Sequence, residues 1–215
     1  MIKKNLALML LAGAAIISSC GSNATEATDA KKEAEASEKS VTYIVSPTKS
    51  TVQWTGTKLA YGHTGLIDIK SGELSVEGKK ITAGSFMIDM ATIKETGEDI
   101  DQEKAIQLAG HLMSPDFFDA AAFPTSSFAI TSVEEADGKY TISGNLTIKG
   151  VEKNISFPAK VEADGKKLIA DAEFIINRND WGVSYGSGAS GAVADQAIGD
   201  DLEFVVHLEA AIPAE

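Results

Sequence analysis

From residue 41 to the end of the chain, apolar and polar residues alternate with a period of two. Phe86, Ile88 and Met90 are separated by Met87 and Asp89, and Ile142, Gly144, Leu146 and Ile148 by Ser143, Asn145 and Thr147. The same beat runs through Ile155, Phe157, Ala159 and Val161, through Leu168, Ala170, Ala172, Phe174 and Ile176, and through Leu202, Phe204, Val206 and Leu208. Side chains on a strand point alternately to its two faces, so these runs predict antiparallel strands with one dry and one wet face. Asp137-Gly138 and Asp164-Gly165 stand between runs as tight hairpin turns with positive φ; Glu77-Gly78 and Lys149-Gly150 read as two more. Shorter candidates at 43–45, 52–58, 66–76 and 126–131 bring the count to eight or nine strands. Sheets of that size curl and close, which removes their edges. The expected fold is mainly β, an extended antiparallel eight-stranded barrel with an apolar interior.

One segment, 99–119, breaks the pattern. Asp99-Ile100-Asp101-Gln102 has the form of a capping box, with Asp99 as N-cap and Gln102 reaching back. A helix to about Leu112 follows, with Ile106, Ala109 and Met113 on one face. Ser114-Pro115-Asp116 then starts a short turn with proline at its first position. This predicts a helical lid or plug between two strands. Phe117, Phe118, Phe123 and Phe128 form an aromatic cluster around it, read as packing between plug and barrel.

Ahead of the barrel the pattern changes twice. Lys3 and Lys4 precede an apolar run at 6–17, the layout of a secretory signal. The run is too short to cross a bilayer, which takes about 20 apolar residues. It ends in Ile17-Ser18-Ser19-Cys20, which resembles a bacterial lipobox, whose cysteine is acylated and becomes the new N-terminus. Cys20 is the single cysteine, so an oxidising compartment offers it no disulfide partner within the chain. Residues 1–19 are therefore expected to be a lipoprotein signal peptide, Cys20 a lipid-attachment site, and the location the bacterial cell envelope, facing the periplasm. Residues 21–40 carry Ala, Glu, Lys, Thr and Ser without an aromatic or branched aliphatic side chain. Such a stretch buries too little to offset its ordering entropy. It reads as a disordered acidic tether over 20–40, with transient helix around 30–36, leading into one domain at 41–215.

The formal charge of −12 becomes −14 when Lys3 and Lys4 leave with the signal. An acidic surface with one arginine, Arg178, repels nucleic acid and anionic headgroups. Membrane attachment then falls to acyl chains.

Several motifs lose their chemistry on inspection. Gly186-Ser-Gly-Ala-Ser-Gly191 spells a dinucleotide fingerprint but lacks the strand that turns directly into a helix. It reads as a glycine loop serving as rim or gate. Asp99, Asp101 and Glu103 lack the glycine and terminal glutamate of a calcium loop, since Lys104 and Gly110 stand there. His63, His111 and His207 show no metal-ligand spacing, and no GxSxG elbow is present. His207 falls on the wet face. His63 and His111 are either structural, bonded to backbone, or contacts to a ligand head group. Arg178 ends a strand on its dry phase and needs a partner, either Asp180 or Asp116 in a salt bridge or an anionic head group.

Gly110-His-Leu-Met-Ser-Pro-Asp-Phe-Phe-Asp119, followed by Phe123-Pro124 and Phe128, resembles the central signature of the YceI-like family. Gly144-Asn-Leu-Thr-Ile-Lys-Gly-Val151, Asn177-Arg-Asn-Asp-Trp-Gly-Val183 and Ile198-Gly-Asp-Asp-Leu202 match it in the same order, and His63-Thr64-Gly65 with Gly72 is similar to its N-terminal segment. The resemblance runs from about 43 to 210. It implies a lipocalin-like eight-stranded barrel whose channel binds polyisoprenoid chains, without catalysis. Many members carry charged residues where this chain has Leu108, Ala109, Gly110 and Met113, and the lipobox is not general among them.

The expected ligand is a long-chain isoprenoid lipid or isoprenoid quinone, and no other cofactor or metal is called for. Expected channel liners are Trp54, Phe86, Ile88, Leu146 and Ile148, with Phe157, Phe174, Ile176 and Phe204 on the later strands. Small residues at Gly144, Ala159, Ala170 and Ala172 would leave room for the chain or merely fit the barrel's taper. His63, His111 and Arg178 are the candidates near a polar head. The alternatives are an envelope scaffold or stress protein with a solid core acting through its acidic surface, and a histidine-dependent hydrolase. Pairing with a second copy into a homodimer stays open.

Overall fold

A computed structural model describes residues 24–58, 61–98, 100–192 and 197–213. The signal, Cys20 and Asp99 lie outside the described residues. Among the described residues ten strands and one α-helix follow in order: β1 Thr28–Asp29, β2 Val41–Val45, β3 Thr51–Lys58, β4 Tyr61–Glu77, β5 Lys80–Glu95, α1 Gln102–Met113, β6 Thr125–Ala136, β7 Lys139–Ile148, β8 Val151–Ala163, β9 Lys167–Asn177 and β10 Ile198–Ala211. Every pairing is antiparallel. β2 and β3 run in the same direction between β4 and β10 and share one stave, interrupted by the turn at 46–50. The ring then closes through β4, β5, β6, β7, β8, β9 and back to β10, which makes the eight-stranded lipocalin-like barrel with a helical insertion. No helix among the described residues is long and apolar enough to cross a membrane.

The turns follow from their residues. Asp137-Gly138 and Lys149-Gly150 both have two successive positive φ angles, 53° and 73° in the first and 50° and 75° in the second. That is the mirror-image turn whose twist matches the flanking strands. Hairpins at 77–80, 136–139 and 163–167 gather at one end of the barrel. Buried Tyr43, Val76, Leu168 and Ala210 belong to the same end and fill it. The other end carries the β3–β4 and β7–β8 turns, α1, and the segment from Arg178 to β10.

The helix begins two residues later than its sequence suggests. Asp101, not Asp99, caps it: its Oδ1 accepts the Lys104 amide at 2.9 Å, and Lys104 Nζ lies 2.8 Å from Oδ2. The hydrogen bonds from the Lys104 side chain and backbone hold the Asp101 carboxyl below its ordinary pKa.

The tether expectation needs a larger correction. Residues 24–40 form an extended strap across the outside of the barrel, with no helix at 30–36. Thr28 and Asp29 pair with Asn154 and Lys153 of β8, the Thr25 amide donates to the Ile175 carbonyl, and the Ala34 amide donates to Ile130. Asn145 serves as a surrogate strand partner: its Oδ1 accepts the Lys31 amide at 3.0 Å and its Nδ2 donates to the Lys31 carbonyl at 2.7 Å. Asn145 and Asn154, on the outward phase of β7 and β8, are therefore 3% and 2% exposed. The strap is held by main-chain groups and the Asn145 side chain, whose Oδ1 also accepts from Asn154 Nδ2 at 2.9 Å, and hydrophobic composition registers none of these.

Candidate functional site

The dry faces do not meet at the centre. They enclose an elongated cavity of about 440 Å³, within the range of small-molecule sites. It runs from Leu74, Ile81 and Leu208 in the hairpin half to Lys58, His111 and Tyr185 beneath α1. Its exposed lining residues, Thr57, Lys58 and Tyr185, all sit at the helix end, so the mouth is there.

Of the expected liners, Trp54, Phe86, Ile88, Leu146 and Ile148 border this cavity, as do Phe157, Phe174 and Phe204. Ile176 does not. It is 0% exposed, shares the inward phase of Phe174, and sits in the packed core beside the Arg178–Trp181 turn. Ala159, Ala170 and Ala172 leave open space on the β8–β9 wall. Gly144 does not, because the ring of Phe128 occupies the place its side chain would take. That ring belongs to a band of five phenylalanines around the wall: Phe86–Phe128, Phe128–Phe157, Phe157–Phe174 and Phe174–Phe204 have centroids 6.4, 5.6, 4.3 and 5.4 Å apart. Pairs at these separations attract beyond the area they bury.

Polar side chains lining the cavity gather at the mouth, apart from Ser126, whose hydroxyl donates to the Met90 sulfur at 3.0 Å. His63 Nδ1 stands 3.6 Å from Glu95 Oε2, and that carboxylate is buried, its Oε1 accepting the Gly97 amide. His111 Nε2 lies 3.2 Å from Asp116 Oδ2, with its ring edge-on to Phe117 and Tyr185 at 4.9 and 5.1 Å. His111 thus engages a carboxylate rather than backbone, while His63 faces a buried carboxylate oxygen that has no hydrogen-bond partner. His207 pairs on the outer surface with Asp171 at 2.7 Å. No cluster of three metal-ligating side chains occurs among the described residues.

Arg178 lies at the mouth wall, but its donors are committed elsewhere. Nε donates to the Gly199 carbonyl at 2.9 Å, Nη1 to Val183 at 2.6 Å, and Nη2 to Ile198 and to Asp200 Oδ1 at 3.2 and 3.4 Å. Its acidic partner is Asp200, not Asp180 or Asp116. Burial pulls the guanidinium pKa down, with Asp200 opposing. The residue ties Val183 to the start of β10 at Ile198–Asp200. Trp181 beside it is wholly buried and donates its indole N–H to the Leu146 carbonyl at 2.8 Å. In the glycine loop Gly186 and Gly191 have φ of 64° and 89° around a three-residue 3₁₀ turn. Its Tyr185 forms part of the mouth.

Sequence reading missed the lid's share of the lining. Leu108 and Leu112 face the cavity from one side of α1 beside the expected His111, and Phe117 and Phe118 line it too. The pattern was available, since 108, 111 and 112 share a helix face. Glu95 was also missed, for a polar residue at a strand end gives no sign that it is buried.

A closed antiparallel barrel with an apolar cavity and polar groups at one end has the shape and the lining to enclose an apolar ligand. The YceI-like domain model matches residues 43–210, and the chain belongs to that family. Among its relatives is a protein of Pseudomonas putida named only as a UPF0312 protein, 28% identical over 152 residues that cover 67% of this chain and 76% of the relative. Among solved structures, BcnA of Burkholderia cenocepacia superposes with a TM-score of 0.63 at 22% identity, covering 78% of this chain and 99% of its own. A polyisoprenoid-binding domain from Saccharophagus degradans, implicated in plant cell wall breakdown, gives 0.58 at 16% identity over 80% and 98%. These likenesses establish the fold.

Proposed function

We propose that this protein binds and carries a polyisoprenoid, or a similar long-chain amphiphile such as an isoprenoid quinone, without catalysis, in the bacterial cell envelope. Cys20 carries the acyl anchor that holds it to the membrane on the periplasmic side. The observation that supports this reading best is the cavity itself, an apolar tunnel closed at the hairpin end and polar at the mouth. A hydrocarbon tail fits inside and its head stays at the opening. A centre of this volume also speaks against a solid-core scaffold. Family membership and the polyisoprenoid-binding neighbour agree with the chemistry of the wall. Arg178 is committed to carbonyls and Asp200, which leaves Lys58, His63 and His111 as the side chains at the mouth that a polar head would meet.

Solvent extraction and mass spectrometry of protein purified from its host test the reading. A co-purified prenol or prenyl quinone is the expected result. A blank extract, together with no uptake of added farnesol, whose three isoprene units match the room in the cavity, refutes it. Intact mass of the mature N-terminus tests the anchor separately: an acylated Cys20 is expected, and an unmodified one refutes that part.

A further inference from the structure

We infer that Glu95, buried behind His63, holds that imidazole with its proton on Nδ1 and leaves the Nε2 lone pair for the ligand, so that the mouth accepts a hydroxyl head group. The inference rests on the carrier reading above and narrows the ligand from an amphiphile of any head to an isoprenoid alcohol. Glu95 is then a positioning residue, and His63 is the one that touches the head.

Strand register sets the pair. His63 and Gly65 stand two residues apart on β4 and so share a face, and Glu95 is the cross-strand partner of Gly65 at the end of β5. Neighbours on the same phase, Ile67 on β4 and Ile93 on β5, line the cavity, as does His63 itself. Glycines make the room. Gly56 is the partner of His63 on β3, and a side chain at Gly65 would strike the Trp54 ring and the Lys94 carbonyl. The Glu95 side chain turns in toward His63 and is 1% exposed, whereas that of His63 is 36% exposed.

A carboxyl buried to that degree needs donors. Oε1 has one, the Gly97 amide at 2.8 Å. Oε2 has none among the described residues, and the nitrogen facing it is His63 Nδ1 at 3.6 Å. A closing of about 0.5 Å would complete a bond from Nδ1–H. A ring protonated on both nitrogens would make an ionised pair, which draws in to about 2.7–2.9 Å. The wider separation fits an uncharged ring. With the proton on Nδ1, Nε2 is an acceptor, and it makes no hydrogen bond among the described residues.

An acceptor at this point chooses among head groups. The O–H of a prenol donates to it, while a quinone carbonyl or an ether oxygen sets lone pair against lone pair. The tail then runs from His63 past Ile67 and Ile69 to Leu74, all on β4 and all lining the cavity.

The test reads tautomer and head preference on the full chain. Long-range nitrogen NMR of histidine-labelled protein at neutral pH should show His63 Nδ1 protonated and Nε2 bare, with Nε2 moving when farnesol is added. A proton on Nε2 alone, or on both nitrogens, overturns the proposal. Farnesol should bind about fivefold tighter than farnesyl methyl ether, the yield of one hydrogen bond. In Glu95→Gln the side-chain amide keeps its oxygen on Gly97 and turns an N–H to Nδ1, which moves the ring proton to Nε2. The preference for the alcohol should then vanish. Equal weakening of both ligands, with the preference kept, would mark Glu95 as structural only and overturn the proposal. If Glu95→Gln does not fold, the tautomer and the ligand ratio of the unaltered protein decide. Equal binding of alcohol and ether refutes the head site and leaves the carrier reading standing; binding of neither refutes both.

Discussion

Replacing Ala172 by tryptophan should close the tunnel while leaving the barrel standing. Ala172 lies on the β8–β9 wall, pairing with Ala159 on one side and Val206 on the other, and all three face the cavity. At about 30 Å³ per carbon-sized group, 440 Å³ admits about 15 such groups, or three isoprene units. Alanine to tryptophan adds nine heavy atoms, more than half of that room. Burying a methylene is worth about 0.8 kcal/mol, so a tail denied nine groups forfeits up to about 7 kcal/mol of gross burial. Ordering costs and a tail that rides higher in the tunnel reduce the net loss. Even a quarter of it, about 1.8 kcal/mol, is roughly a twentyfold rise in Kd. The hollow accepts the indole, so the stability cost should stay within the 1–3 kcal/mol typical of overpacking. The assay is titration with a fluorescent prenyl analogue beside thermal unfolding. Asp171→Trp, one residue along and on the outer face, controls for a bulky substitution in the same strand. Should Ala172→Trp not fold, Ala172→Leu gives a smaller version of the same effect. A folded Ala172→Trp variant with unchanged affinity would refute the tunnel as the binding site.

Four further outcomes follow from particular contacts. Arg178→Ala strands the carbonyls of Val183, Ile198 and Gly199, and should cost about 3–5 kcal/mol in chemical denaturation with prenyl affinity of the folded protein preserved; normal stability with lost binding would make it a head-group ligand instead. Gly144→Ala drives a methyl into the Phe128 ring and should lower stability by about 1–3 kcal/mol in a thermal melt, whereas a neutral result would mean that the phenylalanine band yields freely. Asn145→Ala removes both bonds to Lys31, about 2 kcal/mol together, and should raise tryptic cleavage at Lys31 and Lys32 about thirtyfold with the barrel intact; unchanged cleavage would mean the strap is held elsewhere. Asp101, whose folded pKa is lowered, supports α1 fully above the unfolded aspartate value near 4 and loses that support as pH falls through the folded pKa. The Lys104 amide resonance should therefore move below about pH 4, and an amide indifferent to acid would exclude the cap.

The fold was legible because its signals are local. A strand with one dry face writes its period of two into consecutive residues, and Asp-Gly or Lys-Gly in a two-residue turn writes the positive φ that closes a hairpin. Where two local signals competed, the reading slipped: Asp99 and Asp101 both offer an N-cap. What sets Asp101 apart is Lys104, whose amide and ammonium both bind that carboxylate. The strap was illegible for a different reason. Composition measures what a segment can bury by itself, and 24–40 buries little. It is held by Asn154, Asn145, Ile130 and Ile175, residues 96 or more positions away, most of them through backbone groups that no side-chain pattern records.

The site shows why an inward phase is weaker evidence than a lining position. Ile176 and Gly144 both alternate inward, yet one is wholly buried in the packed core and the other lies under Phe128. An eight-stranded barrel is close to the size that its own side chains fill. The hollow therefore arises from an imbalance, with Ala159, Ala170 and Ala172 on one wall facing a cavity whose opposite wall carries Ile69, Leu74 and Ile130. Its polarity arises from topology, because the long connections that supply α1, His111 and Tyr185 all leave from the end opposite the tight hairpins. Three short hairpins close one end, and the other end, which also has the tight turn at 149–150, carries the long connections, the mouth and the polar groups. A tail-first, head-out ligand follows from that arrangement before any particular lipid is named.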